Sequence, residues 1–374
     1  MRSKARRDFL ASGLAFGAAS LFPNLLAAAE SDGQLIPFLD TKPPAPGRTI
    51  LPWEQTTSWI TPEDHFFSVG HYGTPDVDLA GWRLEVSGLV EKPRTFTLDA
   101  LKSRPAAEHA VTLECSGNGP AGGLIGNARW TGTPLALLLR ECGLKSDALE
   151  VVFYGADQGT EKIRANDYPQ QFARSLSVPE ALRENVLLCW QMNQDALSKG
   201  HGAPLRLVVP GWYGVAWVKW LTRLEVHDRP FLNRFMGRDY VTIRGEQQGD
   251  KTIWRETSVG KMNLKSVVAR VVRRPDGVLR VTGAAWSDGA PLQTVELRID
   301  EGPWTPVQLG EGRHPYAWTF WSHDWRGAQP GEHSLASRAI DSRGRRQPSP
   351  DDPFITLKKT YWEANQQAVR KIRV

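Results

Sequence analysis

The segment TLECSGNGP, Thr112 to Pro120, places one cysteine at the end of a strand-like run and follows it at once with a turn. Val111, Thr112 and Leu113 have the character of a strand, and Ser116, Gly117, Asn118 and Gly119 that of a turn. Cysteine is among the most buried residue types. A strand end at a loop is a different place, because side chains there are presented to ligands. Cys115 is therefore the first candidate for chemistry. The chain has two other cysteines, Cys142 and Cys189. Three widely spaced cysteines without CxxC or CxxCH argue against a disulfide framework, a zinc site or a covalently attached haem. Cys142 falls in LALLLRECGL, which reads as a helix, and Cys189 in the apolar run NVLLCW; both are expected in the core.

The elements around Cys115 are short strands alternating with short helices over residues 61–255. WRLEVSGLV reads as a strand and turn, and TLDALKSRP as a short helix capped by Thr97. Thr133–Pro134 opens LALLLREC with proline at the first helical position and Gly143 at the end. LRLVVPG and VKWLTRLEVHD read as strands. From residue 262 the pattern changes to strands alone: SVVARVVRR, LRVTGAAW, TVELRID and HSLASRAID, separated by turns such as PDG, SDG and DEG. That is the pattern of a β-sandwich. GEQQGDKTIWRETSVGKMN reads as the connection between the two parts. The Pro-rich residues 30–60 read as an extended arm over the surface.

With 374 residues, of which 41% are hydrophobic and 23% charged, the chain is long enough for two globular domains. Fifteen tryptophans point to aromatic-rich cores or pockets. The formal net charge is +5, but the first 29 residues hold four basic residues and one acid, so the remainder is close to neutral. It carries no basic run, which excludes a nucleic-acid footprint. ARRDFLASGLAFGAASLFPNLLAAAE has the basic start, apolar segment and small residues of a signal peptide. Arg6–Arg7 followed by Asp8, Phe9 and Leu10 fit a twin-arginine signal, the route that exports proteins already folded. Beyond it no stretch is long and apolar enough to span a membrane, so a periplasmic protein without a membrane span is expected.

The chain resembles the sulfite oxidase family of molybdenum-pterin oxidoreductases. TLECSGN is similar to the family segment whose cysteine binds molybdenum. HGAPLRLVVPGWYGVAWVKWLTRLEV is similar to its pterin-binding stretch, and HFFSVGHYGTP to the segment that opens the domain. AAWSDGAPLQTVELRIDEGPW and SRAIDSRGRRQP resemble its C-terminal immunoglobulin-like dimerisation domain. The resemblance implies an α+β fold: a mixed α/β molybdopterin-binding domain over 61–255, then an immunoglobulin-like sandwich over 262–374. It implies molybdenum and molybdopterin as cofactors, and Cys115 as catalytic metal ligand beside the two sulfurs of one pterin dithiolene. Thiolate is a soft ligand suited to such a metal. The resemblance makes Phe67, Ser68, His71, Asp157, His201, Arg206, Val218 and Lys219 the cofactor-binding residues. Arg206 and Lys219 supply the planar and point-charge donors that a phosphate takes.

The implied activity is transfer of an oxygen atom to or from a small substrate, sulfite or another reduced sulfur compound first. Reduction of an S-oxide or N-oxide, and a non-catalytic subunit with a degenerate site, are the alternatives. Without a haem signature, electrons must pass to a separate carrier such as a c-type cytochrome. A homodimer through the C-terminal domain is implied as well. The sequence departs from sulfite-oxidising members at Val69, Gly119, Trp217 and Trp190, where those members place arginines, another basic residue and a tyrosine. The expectation is that these four cluster in the substrate pocket, with Arg129 or Arg174 as the residues that could fill the gap.

Overall fold

A computed structural model describes residues 33–41, 43–312 and 314–374. The twin-arginine segment lies outside the described residues. Two sheets carry the residues around Cys115. In the first, the strands run in the order Arg94–Phe96, Leu84–Gly88, Leu221–His227, Glu150–Ile163 and Asn166–Ser177. Leu84–Gly88 and Leu221–His227 are parallel and the other pairs antiparallel. The second is antiparallel, in the order Arg206–Val208, Leu187–Met192, Ile125–Pro134 and Ala107–Glu114.

The helices form where the sequence supplies their ends. Leu98–Lys102 starts at Thr97, whose hydroxyl accepts from the Ala100 N–H. Leu135–Cys142 buries Leu135, Leu138, Leu139 and Cys142, the three-to-four spacing of one helical face, and stops at Gly143 with φ of +70°. Pro134 is not the first helical residue, as expected, but the last of the strand Ile125–Pro134 and the cap position of the helix. Cys142 and Cys189 are both buried, as their apolar settings predict.

The α+β reading holds, with a strand-built C-terminal part. One of its sheets runs Gln34–Leu35, Lys265–Arg273, Leu279–Trp286, Thr319–Trp325 and Gln308–Leu309; the other runs Thr305–Pro306, Leu292–Ile299, Glu332–Asp341 and Val369–Arg373. Val268, Val281, Val295, Leu297, Trp321 and Leu335 fill the space between them. The strand Lys265–Arg273 is buried on both faces. Val268 and Val271 point into this sandwich core, while Val267 and Ala269 join the core of the preceding part of the chain. That strand therefore joins two cores, which explains its near-continuous apolar run.

Two expectations need correction. The segment read as a connection is a hairpin, Val241–Gln248 paired with Lys251–Ser258 over eight residues. Its charged, exposed side chains hid the strand alternation, and the Gly249–Asp250 tip supplies the turn. The arm is extended but does not merely lie on the surface. Its Gln34–Leu35 pairs with Lys265–Arg273, Ile36 and Phe38 are buried in the sandwich core, and Leu51 and Trp53 in the other.

Candidate active site

Cys115 follows directly on the strand Ala107–Glu114. Its N–H donates to the Leu124 carbonyl at 2.9 Å, and its own carbonyl accepts from the Asn118 N–H at 2.9 Å, closing a tight turn. The half-buried thiol opens on a cleft. Burial pushes the Cys115 thiol up, and the Gly117 backbone N–H pulls it down. A bound cation would supply the charge that favours the thiolate.

Eight of the nine expected residues line this one cleft: Cys115, Phe67, Ser68, His71, Asp157, His201, Arg206 and Lys219. Val218 does not. It is fully buried behind the cleft, with its carbonyl accepting from the Leu207 N–H at 2.8 Å. Arg206 is 3% exposed; it donates to the carbonyls of His201 at 3.0 Å and Trp217 at 3.4 Å and lies 4.9 Å from the Trp130 ring centroid. Lys219 Nζ donates to Ser68 Oγ at 3.0 Å and the Gly200 carbonyl at 2.8 Å. Burial, reinforced by Arg206, lowers its pKa to about 7. Trp220, the next residue, holds φ at +49°, a costly conformation for a bulky side chain, and its indole donates to the Lys199 carbonyl at 2.8 Å.

Burial, then Arg206 and Lys219, lowers the His201 pKa to about 4. His71 is lowered to about 4 by burial, then by Arg234 and Lys219. Both rings are therefore neutral at physiological pH. His71 stacks on Phe172 at 4.6 Å and meets the Tyr240 hydroxyl through Nε2 at 2.6 Å. Asp157 is raised to about 6 by burial.

Three buried atoms of cleft residues, Ser116 Oγ, Asp157 Oδ1 and Arg206 Nε, have no hydrogen-bond partner. Leaving such groups unpaired is costly, so a ligand that pairs them is what the arrangement fits. The set offers donors for an anion in Arg206 and Lys219, an acceptor for amino groups in Asp157, and a soft donor in Cys115. Among the described residues no three His, Cys, Asp or Glu side chains converge. A metal at Cys115 would thus draw its other ligands from its cofactor. A second hollow bordered by Phe66 and Thr49 shares Ser68 and His201 with the cleft, giving length for an extended cofactor.

Of the four departures, Val69 and Trp217 line the cleft. Gly119 and Trp190 do not. The Gly119 carbonyl accepts from Lys265, and Trp190 is packed in the core at 8% exposure. Neither suggested arginine reaches the cleft. Arg129 pairs with Glu108 at 3.2 Å on the surface, and the buried Arg174 donates to the carbonyls of Phe235 and Val259. Sequence reasoning missed Phe172 and Tyr240, which line the cleft, and Tyr361 and Trp362, which come from the far end of the chain to the turn after Cys115. Trp362 packs against Tyr240 in a tilted pair with ring centroids 4.4 Å apart, and both Tyr361 and Trp362 lie beside Gly117. These segments carry no motif; the concentration of aromatics was the one available signal.

The family description "Oxidoreductase molybdopterin binding domain" matches residues 71–235. The mitochondrial sulfite oxidase of Drosophila melanogaster is 31% identical over 352 residues, which is 84% of this chain and 60% of that protein. That of Rattus norvegicus is 29% identical over 81% of this chain and 60% of its own length. The chain thus spans about 60% of the sulfite oxidases it matches. Nitrate reductase [NADH] 1 of Arabidopsis thaliana is 28% identical over 76% of this chain and 35% of its own. Among solved structures, the sulfane dehydrogenase SoxCD from Paracoccus pantotrophus superposes with a TM-score of 0.74 at 28% identity, covering 92% of this chain and 90% of that one.

Proposed function

Since the chain belongs to the sulfite oxidase family, whose cofactor is molybdenum held by molybdopterin, we propose that it transfers an oxygen atom between water and a small sulfur compound. The observation that carries this reading is Cys115, a single thiol opening on a cleft whose buried polar atoms await partners. When bound, the cofactor supplies two-electron redox chemistry and an exchangeable oxygen. Oxidation consumes water and yields two protons and two electrons; reduction runs the other way.

The chain's own residues bind and orient. Arg206 and Lys219 hold the anionic end of the cofactor, and Asp157 accepts from its amino groups. His201 and His71 contact it as neutral rings, and Cys115 ligates the metal. The Tyr240 hydroxyl, shared with His71 Nε2, is placed to hold or pass a proton near the thiol side of the cleft. Packing by Trp217, Phe172 and Val215 limits water. We further propose export by the twin-arginine route to the periplasm, electron exchange with a c-type cytochrome, and a homodimer formed by the C-terminal sandwich.

Sulfite is a small dianion or monoanion and needs fixed cations. The cleft's cations are those assigned to the cofactor, and Val69, Trp217, Phe172 and Tyr240 leave the rest of its wall neutral. Each missing charge-assisted hydrogen bond costs about 1.5–3 kcal/mol, roughly tenfold to a hundredfold in binding. Sulfite turnover should be weak and Val69→Arg should raise sulfite affinity. The neutral wall favours a second reading, reduction of a less charged S-oxide. Assays of the metal-loaded protein against sulfite, thiosulfate and several S- and N-oxides, with an oxidising and a reducing dye, separate the two. A low-micromolar KM for sulfite in the unmodified protein would contradict the weak-sulfite reading. Absence of metal and pterin from the purified protein would leave only a non-catalytic role.

A further inference from the structure

The residue before the thiol carries a buried charge. Glu114 is 0% exposed. Its Oε1 accepts from Lys265 Nζ at 2.7 Å and from Asn118 Nδ2 at 3.0 Å, and its Oε2 from Trp286 Nε1 at 2.8 Å. Lys265, also 0% exposed, donates a second hydrogen bond to the Gly119 carbonyl at 2.9 Å. Within the turn, the Ser116 carbonyl accepts from the Glu363 N–H at 2.7 Å. The Cys115–Gly119 turn is thus fastened before, within and after the thiol. Lys265, Trp286 and Glu363 all belong to the C-terminal part of the chain, on the strands Lys265–Arg273 and Leu279–Trp286 and the segment after them.

A buried ion pair adds little net stability over a well-packed apolar pair of the same volume. Its use here is better sought in geometry, since it fixes direction as well as distance. Glu114 sits one residue from the thiol at the end of its strand, and its partner Lys265 opens the strand that joins the two cores. We infer that Lys265 is a positioning residue for Cys115: through Glu114 and Gly119, the C-terminal sandwich sets where the thiolate stands at the metal. The inference rests on Cys115 being the metal ligand. It gives the sandwich a role at the site beyond assembly.

The test uses the metal-loaded protein with Lys265→Met, Trp286→Phe and the double variant Glu114→Gln/Lys265→Met, which leaves no unpaired charge and remains testable if Lys265→Met does not fold. The readouts are the thiolate-to-metal absorption band, kcat, and the alkylation rate of Cys115 by iodoacetamide in cofactor-free protein. Small misplacements of a reacting group cost rate steeply, so kcat should fall about tenfold or more. The band should shift and the alkylation rate change, with metal content retained. The double variant should regain thermal stability without regaining the band. Wild-type band and alkylation rate in all three variants, whatever their melting temperatures, would overturn the inference. Cys115→Ser separates the layers. Loss of the band there, with the three variants unchanged, sinks only the positioning role; retention of the band sinks the ligand assignment beneath it.

Discussion

Lys219 concentrates the electrostatics of the cleft. A lysine buried beside an arginine loses its proton easily, and Asp157 offsets this only in part, so its pKa falls to about 7. An anion seated on it favours the ammonium form, so binding takes up a proton wherever Lys219 has lost one. Affinity for an anion should therefore be highest below pH 7 and fall as pH rises through it, by up to about tenfold per unit. Sulfate is a suitable probe because its own charge is constant there. Asp157 has ionised below this window and both histidines are neutral throughout it, so titration of cofactor-free protein between pH 7 and 9 isolates Lys219. Lys219→Met should bind sulfate weakly with a flat profile. An equally flat profile in the unmodified protein would refute this account of Lys219.

At the scale of elements, the site depends on close approaches that only certain residues allow. A methyl group on Gly126, in the strand Ile125–Pro134, would stand 2.5 Å from the Phe66 ring. That ring is edge-on to both Trp130 and His201. Gly126→Ala should cost about 1–3 kcal/mol by overpacking and displace Phe66 against His201. Chemical denaturation and cofactor content check both effects, and unchanged values would show that the ring yields freely. The strand and turn at Cys115 were legible because alternation gives way there to Ser-Gly-Asn-Gly within a few residues. The segment with His201, Arg206 and Lys219 was legible through its resemblance. Trp190 was misjudged for a physical reason: motif position fixes the backbone, while successive side chains on a strand point to opposite faces. Tyr240, Tyr361 and Trp362 were not legible because only tertiary packing brings Tyr240 to the cleft and the other two to the turn after Cys115. The hairpin Val241–Gln248 and Lys251–Ser258 escaped notice because exposed charges occupy both of its faces.

For the whole molecule, the division into a pterin-binding part and a sandwich understates how far the two share a core. Trp286 and Trp318 from the sandwich strands and their approach pack with Trp53 from the arm, at 6.2 and 5.6 Å, within the core beneath Cys115. A site assembled this way has one protein sulfur at its centre, and the account stands on that sulfur. X-ray absorption at the molybdenum edge of the purified protein, compared with Cys115→Ser, tests it directly. The account predicts three sulfur neighbours in the unmodified protein, two from the pterin dithiolene and one thiolate, and one fewer in the variant, with pterin content retained. An identical sulfur shell in the two proteins would contradict it.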